Sequence, residues 1–419
     1  MKINTRTDEY DRLLARHHAM RLRRQILSPE GASAARPAIG PGGTVYDGYG
    51  DQQLIMSRLD LVTPFDVLIE QLYAFMFQRR PYLRPLFPES MEFQQDHLAR
   101  MFRYLIENLH RLDHVLAVLR QLGGDHRKLG VWPAHYLAFE EALAVALRSR
   151  AGAGWSVELE QAWLRMLRFA VKAMVDGAES AITEPPYWHG QVVGHERRGP
   201  DVAVLRIRTG QPYPYRAGQY ATIESPLLPH TWRQYSMACA PRPDGVLEFH
   251  VRRTAAGGVS EALVERTRAG DAVRLGPPRG VMTAVDDPRD VLLVAGGTGL
   301  APLKAILGEL AERRARGQRA HLFVGARSQA DLYDREALAR LSGRFPWLEV
   351  TPVTGGGAGS EPGPGPLPDA LGERRDWSEH IAYVSGPPGM VGAVRATLLA
   401  SGVPADRIHH DPLVAAARD

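Results

Sequence analysis

The sequence predicts a multidomain chain: an all-α half, then an antiparallel β-barrel, then an α/β doubly wound sheet. Three observations carry this. From about 46 to 183, apolar residues recur at three- and four-residue spacing, the period of amphipathic helices. From 187 to 285, short runs alternate apolar and polar residues between Gly and Pro turns, as antiparallel strands do. From 290 onward, buried strands alternate with helical runs, which implies a parallel sheet covered on both faces. A length of 419 residues suits two or three domains at roughly 150 residues each.

The elements follow in order. Residues 1–45 form an N-terminal arm, a basic helical stretch (Asp11 to Ile26) and then a Gly-, Pro- and Ala-rich loop, Ser28 to Gly43. The helical domain takes 46–184. One of its stripes is Leu98, Met101, Phe102, Leu105, Ile106 and Leu109, and Pro81, Pro85, Pro88 and Pro133 punctuate the helices. Glu184-Pro185-Pro186 reads as a linker. The barrel spans 185–286, with strands such as Val202 to Ile207 and Leu247 to Val251. The doubly wound domain spans 287–419. Its first units are Val291 to Val294, Leu303 to Arg313 and His321 to Val324, and its last strand is Ile381 to Val384. Gly355 to Pro368 is low-complexity and reads as a surface loop.

Composition narrows the function. Hydrophobic residues make up 44% and charged residues 23%, the balance of a globular protein with a large core. Net charge is +4 with acids and bases interleaved, so a pI near 9.2 does not imply a nucleic-acid partner. The longest apolar stretch, Val291 to Ile306, is interrupted by Gly296, Gly297, Gly299, Pro302 and Lys304. It falls short of the roughly 18 apolar residues of a membrane span. The Arg-rich first 24 residues lack the apolar core of a secretory signal, so a cytoplasmic location is expected. Cys239 is the single cysteine, which excludes an internal disulfide and a thiolate-held iron-sulfur cluster on this chain. It reads as a small buried filler.

Four motifs in the C-terminal half carry chemistry. Arg216-Ala217-Gly218-Gln219-Tyr220 precedes Arg233-Gln234-Tyr235-Ser236. There Arg233 supplies a cationic fork for a phosphate, Tyr235 an aromatic face for an isoalloxazine ring and Ser236 a hydroxyl for a ring nitrogen. Gly257-Gly258-Val259-Ser260 precedes a helical run, and its small residues let backbone N–H groups approach a pyrophosphate. Val291 to Ala295 runs into Gly296-Gly297-Thr298-Gly299-Leu300-Ala301-Pro302, a strand, glycine turn and helix suited to a dinucleotide at a sheet edge. Tyr383-Val384-Ser385-Gly386-Pro387-Pro388-Gly389-Met390 repeats that layout on the last strand.

These four motifs, in this order, resemble the ferredoxin-NADP reductase superfamily across 187–412. The resemblance implies FAD contacts at Tyr220, Arg233, Gln234, Tyr235, Ser236, Gly258, Val259 and Ser260. It also implies a nicotinamide cofactor, NADH or NADPH, framed by Gly297, Thr298, Gly299, Leu300, Ala301 and Pro302 with Ser385, Gly386, Pro387 and Met390. Many relatives have Cys where Ser385 stands. An aromatic-Gly-Pro segment that covers the flavin in some relatives is replaced by His409-His410-Asp411-Pro412-Leu413. Beyond Gly325, Arg327 and Ser328 are able to hold a 2′-phosphate while Asp331 and Asp334 oppose one, so NADH is expected to be accepted.

The helical half carries Leu72-Tyr73-Ala74-Phe75-Met76-Phe77, then Pro81 to Pro88, then Met91, Gln94 and Leu98. Asp125-His126-Arg127-Lys128-Leu129-Gly130-Val131 leads into Pro133 and Tyr136. This string resembles the bacterial flavohaemoglobin globin across 52–183, and the whole chain resembles the actinobacterial flavohaemoglobin-like branch. A globin haem needs one proximal imidazole. Of His97, His110, His114, His126 and His135, His126 combines a helix end, a short corner and a following proline. On the opposite face the resemblance places Tyr73 and Gln94, a pair able to hydrogen-bond dioxygen, with Leu98 as an apolar lid. The resemblance implies haem b on His126 and matches Tyr136 to the family's proximal tyrosine. The family's proximal glutamate falls on Ala178, with Glu179 one residue away, about 100° around a helix.

FAD accepts an electron pair and releases single electrons, and haem is the one electron acceptor these motifs imply on the chain. The expected reaction is nitric oxide dioxygenation, with O2, NO and NAD(P)H as small-molecule partners and no obligatory protein partner. Two alternatives stay open: a haem reductase serving another oxidation or biosynthetic step, and a flavin reductase carrying a haem-free or sensor helical module.

Overall fold

A computed structural model describes residues 46–411, apart from 255, 314–316, 356–365 and 373–375. The N-terminal arm, most of the low-complexity loop, and Pro412 and Leu413 lie outside the described residues. The chain divides into two compact units, one ending at Pro186 and the other beginning at Tyr187.

The first unit is helical. Its main elements are α1 (Gly48–Met56), α2 (Phe65–Arg79), α3 (Glu92–Asn108), α4 (Leu112–His126), α5 (Pro133–Ala151) and α6 (Val157–Ser180). Local chemistry sets their ends. The Asp47 carboxylate accepts from Gly50 N at 3.1 Å at the start of α1. Ser156 Oγ accepts from Leu159 N at 3.2 Å at the start of α6. Pro133 opens α5, where its missing N–H costs no helical bond. Apolar faces meet in one core around Leu68, Leu72, Leu105, Leu119 and Leu147, with Phe65, Phe102 and Trp163 in edge-to-face contact. Helices α4 and α6 touch backbone to backbone. A Cβ on Gly123 would lie 1.9 Å from Met174 O, and one on Gly177 2.0 Å from Arg120 O. No residue larger than glycine fits at either position. Just past α4, Arg127 donates to Ala181 O (2.5 Å) and Glu184 O (2.7 Å), fixing the stretch that leaves α6.

The second unit begins with six antiparallel strands: β1 (Trp188–Arg197), β2 (Val202–Thr209), β3 (Tyr220–Glu224), β4 (Trp232–Ser236), β5 (Val246–Arg252) and β6 (Ala272–Leu275). They run in the order β4-β3-β6-β1-β2-β5. A bridge between Met237 and Phe249 joins the two ends and closes the barrel. Five parallel strands follow: β7 (Val291–Gly296), β8 (Ala320–Ala326), β9 (Leu348–Thr354), β10 (Ile381–Ser385) and β11 (Ile408–His409), in the order β11-β10-β7-β8-β9. Leu293 and Ala295 enter one apolar cluster, Leu292 and Val294 another, so β7 is buried on both faces. Helices α7 (Leu300–Arg313), α8 (Arg335–Arg344), α9 (Leu367–Gly372) and α10 (Pro388–Ala400) cover the sheet. The α7 helix starts at Leu300, three residues before the apolar periodicity suggests, because the glycine turn feeds straight into it. Among the described residues, no helix is long and apolar enough to cross a membrane.

Candidate functional site

In the helical unit, His126 is the last residue of α4. A short turn, Arg127–Leu129, and Gly130 in the left-handed conformation (φ 70°) carry the chain round the corner to Pro133. The imidazole is enclosed by protein yet keeps a solvent-reachable face. Its Nδ1 lies 2.8 Å from Leu122 O. A carbonyl can only accept, so Nδ1 carries the hydrogen and Nε2 holds its lone pair free. Burial lowers the pKa below the usual histidine value, the Leu122 bond opposing it, which keeps the ring neutral at pH 7. A neutral imidazole anchored through one nitrogen to a carbonyl is the form a metal-ligating histidine takes.

The other histidines of this unit differ. His110 Nδ1 meets Gln52 Nε2 at 3.2 Å. His135 Nδ1 accepts from Trp132 N at 3.2 Å and caps α5. His114 leans on Tyr104. His97, on α3, stacks on Phe93 and lies close enough to disfavour a proton on His126.

Tyr73 on α2 is 8% exposed and packs against Phe77 and Phe87. Its hydroxyl has no hydrogen-bond partner among the described residues, and burial alone raises its pKa. Gln94 on α3 has a buried, unpartnered Oε1. Leu98, one turn on, packs against the core. Leaving a polar atom buried and unpaired costs about 1–3 kcal/mol. Gln94 Oε1 is such an atom, and with the partnerless Tyr73 hydroxyl and a free imidazole lone pair in the same unit it fits a guest that satisfies them; haem with its gaseous ligand has that chemistry. Tyr136, on the first turn of α5, is half-buried, and burial pushes its pKa up to about 12. No carboxylate of α6 enters the surroundings that shift His126: Asp176 pairs with Lys172, Ala178 carries no charge and Glu179 is exposed.

In the second unit, β3 and β4 bring the flavin motif together. Tyr220 pairs with Ser236, Ala221 with Tyr235, Thr222 with Gln234, and Ile223 with Arg233. Strand alternation sends Arg233 and Tyr235 to one face and Gln234 and Ser236 to the other. Gln234 is exposed, while Tyr235 packs on the barrel core. Gly258 and Val259 lead a single helical turn, and Ser260 Oγ accepts from Thr254 N (3.2 Å) and meets Thr254 Oγ1 (3.0 Å). Thr254 was not legible as a partner, since its role arises from the chain folding back.

The two glycine turns meet at the carboxyl edge of neighbouring strands β7 and β10. A Cβ on Gly299 would lie 2.3 Å from Ser385 O, and one on Gly386 2.6 Å from Met390 Cε. Pro387 and Met390 pack on Gly296 in turn. Thr298 sits in the short turn Gly297–Gly299, and Leu300, Ala301 and Pro302 are buried at the start of α7. These absent side chains leave bare backbone where a pyrophosphate can approach. The Arg252 guanidinium lies within 4.0 Å of the Cβ position of Gly297, adding a cation that the motifs did not reveal.

Past β8, Ser328 Oγ donates to Asp331 Oδ2 at 2.9 Å, and Arg327 lies 3.7 Å from Asp331. Asp334 corrects one expectation. It is 2% exposed and held by Lys304 and Arg198, so two cations counter its charge and it is not a free acid set against a nucleotide phosphate. Cys239 is partly exposed, and its thiol meets the Tyr215 hydroxyl at 3.3 Å. At the C-terminal end, His409 stacks on Tyr383, and Asp411 Oδ1 accepts from Val281 N at 3.2 Å.

Together these features define a haem-, flavin- and nicotinamide-dependent oxidoreductase. Family models for a globin, an oxidoreductase FAD-binding domain and an oxidoreductase NAD-binding domain match residues 70–174, 189–283 and 293–396. The ferredoxin–NAD(P)+ reductase component of the naphthalene 1,2-dioxygenase/salicylate 5-hydroxylase systems of a Ralstonia species is 34% identical over 225 residues, 53% of this chain and 67% of that protein. The corresponding naphthalene dioxygenase component of Pseudomonas putida is 34% identical over 245 residues, 57% of this chain and 72% of that protein. The crystal structure of flavohaemoglobin from Malassezia yamatoensis, with bound FAD and haem, matches 86% of this chain and 97% of its own at a TM-score of 0.66 and 17% identity, a likeness of fold. The chain belongs to the ferredoxin–NAD(P)+ reductase family and is a flavohaemoglobin-like fusion of a globin to such a reductase.

Proposed function

We propose that the chain is an NAD(P)H-dependent haem oxygenase of the nitric oxide dioxygenase type, converting NO and O2 to nitrate. The observation that carries this reading is the presence, in one helical unit, of His126 with a free Nε2 lone pair, the partnerless hydroxyl of the largely buried Tyr73, and the buried, unpartnered Oε1 of Gln94. Haem held by His126 would supply an iron that binds dioxygen, and FAD would split the hydride's electron pair into single electrons. The protein's own part is local. Leu122 O holds the imidazole in one tautomer, and the Tyr73 hydroxyl is a donor that would stabilise negative charge on a bound ligand. Leu98 keeps water from the ligand side. Tyr136 is the candidate for orienting the proximal face, and the lack of a carboxylate there predicts an iron less electron-rich than a charged partner would make it.

At the reductase, Tyr220, Arg233, Tyr235, Ser236 and Ser260 are the proposed FAD contacts, and the paired glycine turns receive the nicotinamide nucleotide. NADH is the proposed donor, because Asp331 already engages both Arg327 and Ser328 and would repel a 2′-phosphate. A single cysteine fits a reducing, cytoplasmic setting.

A second reading rests on the Ralstonia and Pseudomonas relatives, which serve dioxygenase systems: the chain passes electrons to another oxidation. Purified protein supplied with NADH, O2 and NO decides between them. The proposal expects nitrate to form with one NADH consumed per two NO. NADH oxidation that ignores NO and yields no nitrate would favour the second reading.

A further inference from the structure

A largely buried charge cluster of the second unit lies beside the Gly297–Gly299 turn, apart from the flavin motif. The barrel contributes Arg198 just past β1, Arg206 on β2, and Glu248 and His250 on β5. The nucleotide domain contributes Lys304 on α7 and Tyr333-Asp334 before α8. Lys304 Nζ donates to Asp334 Oδ2 at 2.7 Å and lies 3.5 Å from Glu248 Oε1. Arg198 Nη1 donates to Asp334 Oδ1 at 3.2 Å, and Arg206 Nε donates to Glu248 Oε2 at 3.2 Å. His250 Nε2 lies 3.3 Å from the Glu248 carboxylate and 3.4 Å from Lys304 Nζ, and its Nδ1 shares a hydrogen bond with the Tyr333 hydroxyl at 2.7 Å. The Asp334 and His250 side chains are 1% and 0% exposed, and those of Lys304 and Glu248 13% and 14%. Burial works to raise the Glu248 pKa, but the His250 bond and the Lys304 charge hold it down at about 2.

A buried ion pair contributes little net stability, because desolvation offsets the attraction, and apolar side chains of similar size do as well. Its distinguishing property is geometric: a misplaced buried charge is costly, so the partners tolerate one alignment. Here the partners come from the two halves that must be aligned. Lys304 stands one helical turn past Leu300, at the foot of the Gly297–Gly299 turn. Tyr333 and Asp334 line a cavity together with Gly297, Leu300 and Gly325. The cluster therefore ties the barrel directly to the walls of the nucleotide crevice.

We infer that the Lys304–Asp334–Arg198 and Tyr333–His250–Glu248 contacts are positioning residues for hydride transfer, bracing the flavin barrel against the nucleotide sheet so that nicotinamide and flavin meet at reacting distance. Misplacement of reacting groups by about 1 Å can cost on the order of a hundredfold in rate without weakening binding. The inference uses only the FAD and nicotinamide modules, and it stands whether or not NO is the substrate of the haem.

The test is anaerobic reduction of the flavin by NADH in the full-length protein, followed by flavin absorbance. Lys304→Met is expected to keep FAD content and the flavin spectrum, leave the half-saturating NADH concentration within about twofold, and slow the limiting rate at least about tenfold. The primary deuterium isotope effect with 4-deuterated NADH should rise. Because Lys304→Met takes away one of the two cations that hold Asp334, Lys304→Met/Asp334→Asn removes both members of that pair and should show the same slowed, isotope-sensitive step. Tyr333→Phe deletes one hydrogen bond, keeps the ring, and should slow the step a few-fold. The inference is overturned if the double variant and Tyr333→Phe both reduce flavin at the wild-type limiting rate. It is equally overturned if the losses lie wholly in FAD content or NADH saturation.

Discussion

The two units build their sites by opposite means. In the helical unit the atoms proposed to act are polar groups without a protein partner: Gln94 Oε1, the lone pair of His126 and the hydroxyl of Tyr73. In the reductase the space is made by side chains that are absent, at Gly296, Gly299 and Gly386, and the surrounding charges are already paired. The difference matches the guests. A gaseous ligand on iron needs a few donors held dry, where each is worth most. A dinucleotide needs backbone N–H groups at close approach, which a Cβ would block.

Substitutions can break each half of this comparison separately. His126→Ala should abolish stable haem incorporation while FAD remains in full. The ratio of haem to flavin absorbance in purified protein measures it, and a full haem complement in the variant would sink the assignment. Gly299→Ala puts a Cβ 2.3 Å from Ser385 O, backbone that cannot move aside cheaply. NADH-driven flavin reduction should fall on the order of a hundredfold, with haem and FAD retained; an unchanged rate would mean the turn does not receive the nucleotide. On the proposed reading, Tyr73→Phe would remove a hydrogen bond to partly anionic dioxygen worth about 1.5–3 kcal/mol. That is roughly ten- to over a hundredfold in NO-dependent NADH consumption, against no more than about twofold in flavin reduction. Equal slowing of both would make Tyr73 a packing residue. Smallest is Asp331→Ala. It should improve the use of NADPH relative to NADH by up to about fivefold, the effect of one partly screened charge. Steady-state kinetics with both nucleotides would detect it, and strong NADPH preference in the wild type would reverse the NADH assignment.

The sequence showed what is local and hid what is distant. The three-part architecture was legible because periodicity changes where the architecture changes, and the corner after His126 because Gly130 and Pro133 mark a helix end and a helix start. The glycine turns were legible for the same reason. The lock between Gly123 and Gly177 was not, because each glycine is explained only by the backbone of the other helix. Asp334 was misread as a surface acid facing the nucleotide. Its partners lie 30 and 136 residues away, and no spacing rule connects Lys304 or Arg198 to it. Arg252, beside Gly297, was hidden likewise, its target being on another domain of the same unit.

The central claim is that one chain carries electrons from nicotinamide through flavin to haem. Anaerobic stopped-flow mixing with NADH, followed at flavin and haem wavelengths, tests it most directly. The account predicts flavin bleaching followed by reduction of the haem, at a first-order rate that does not change with protein concentration. Flavin that bleaches while the haem stays oxidised, or haem reduction whose rate rises in proportion to protein concentration, would contradict it.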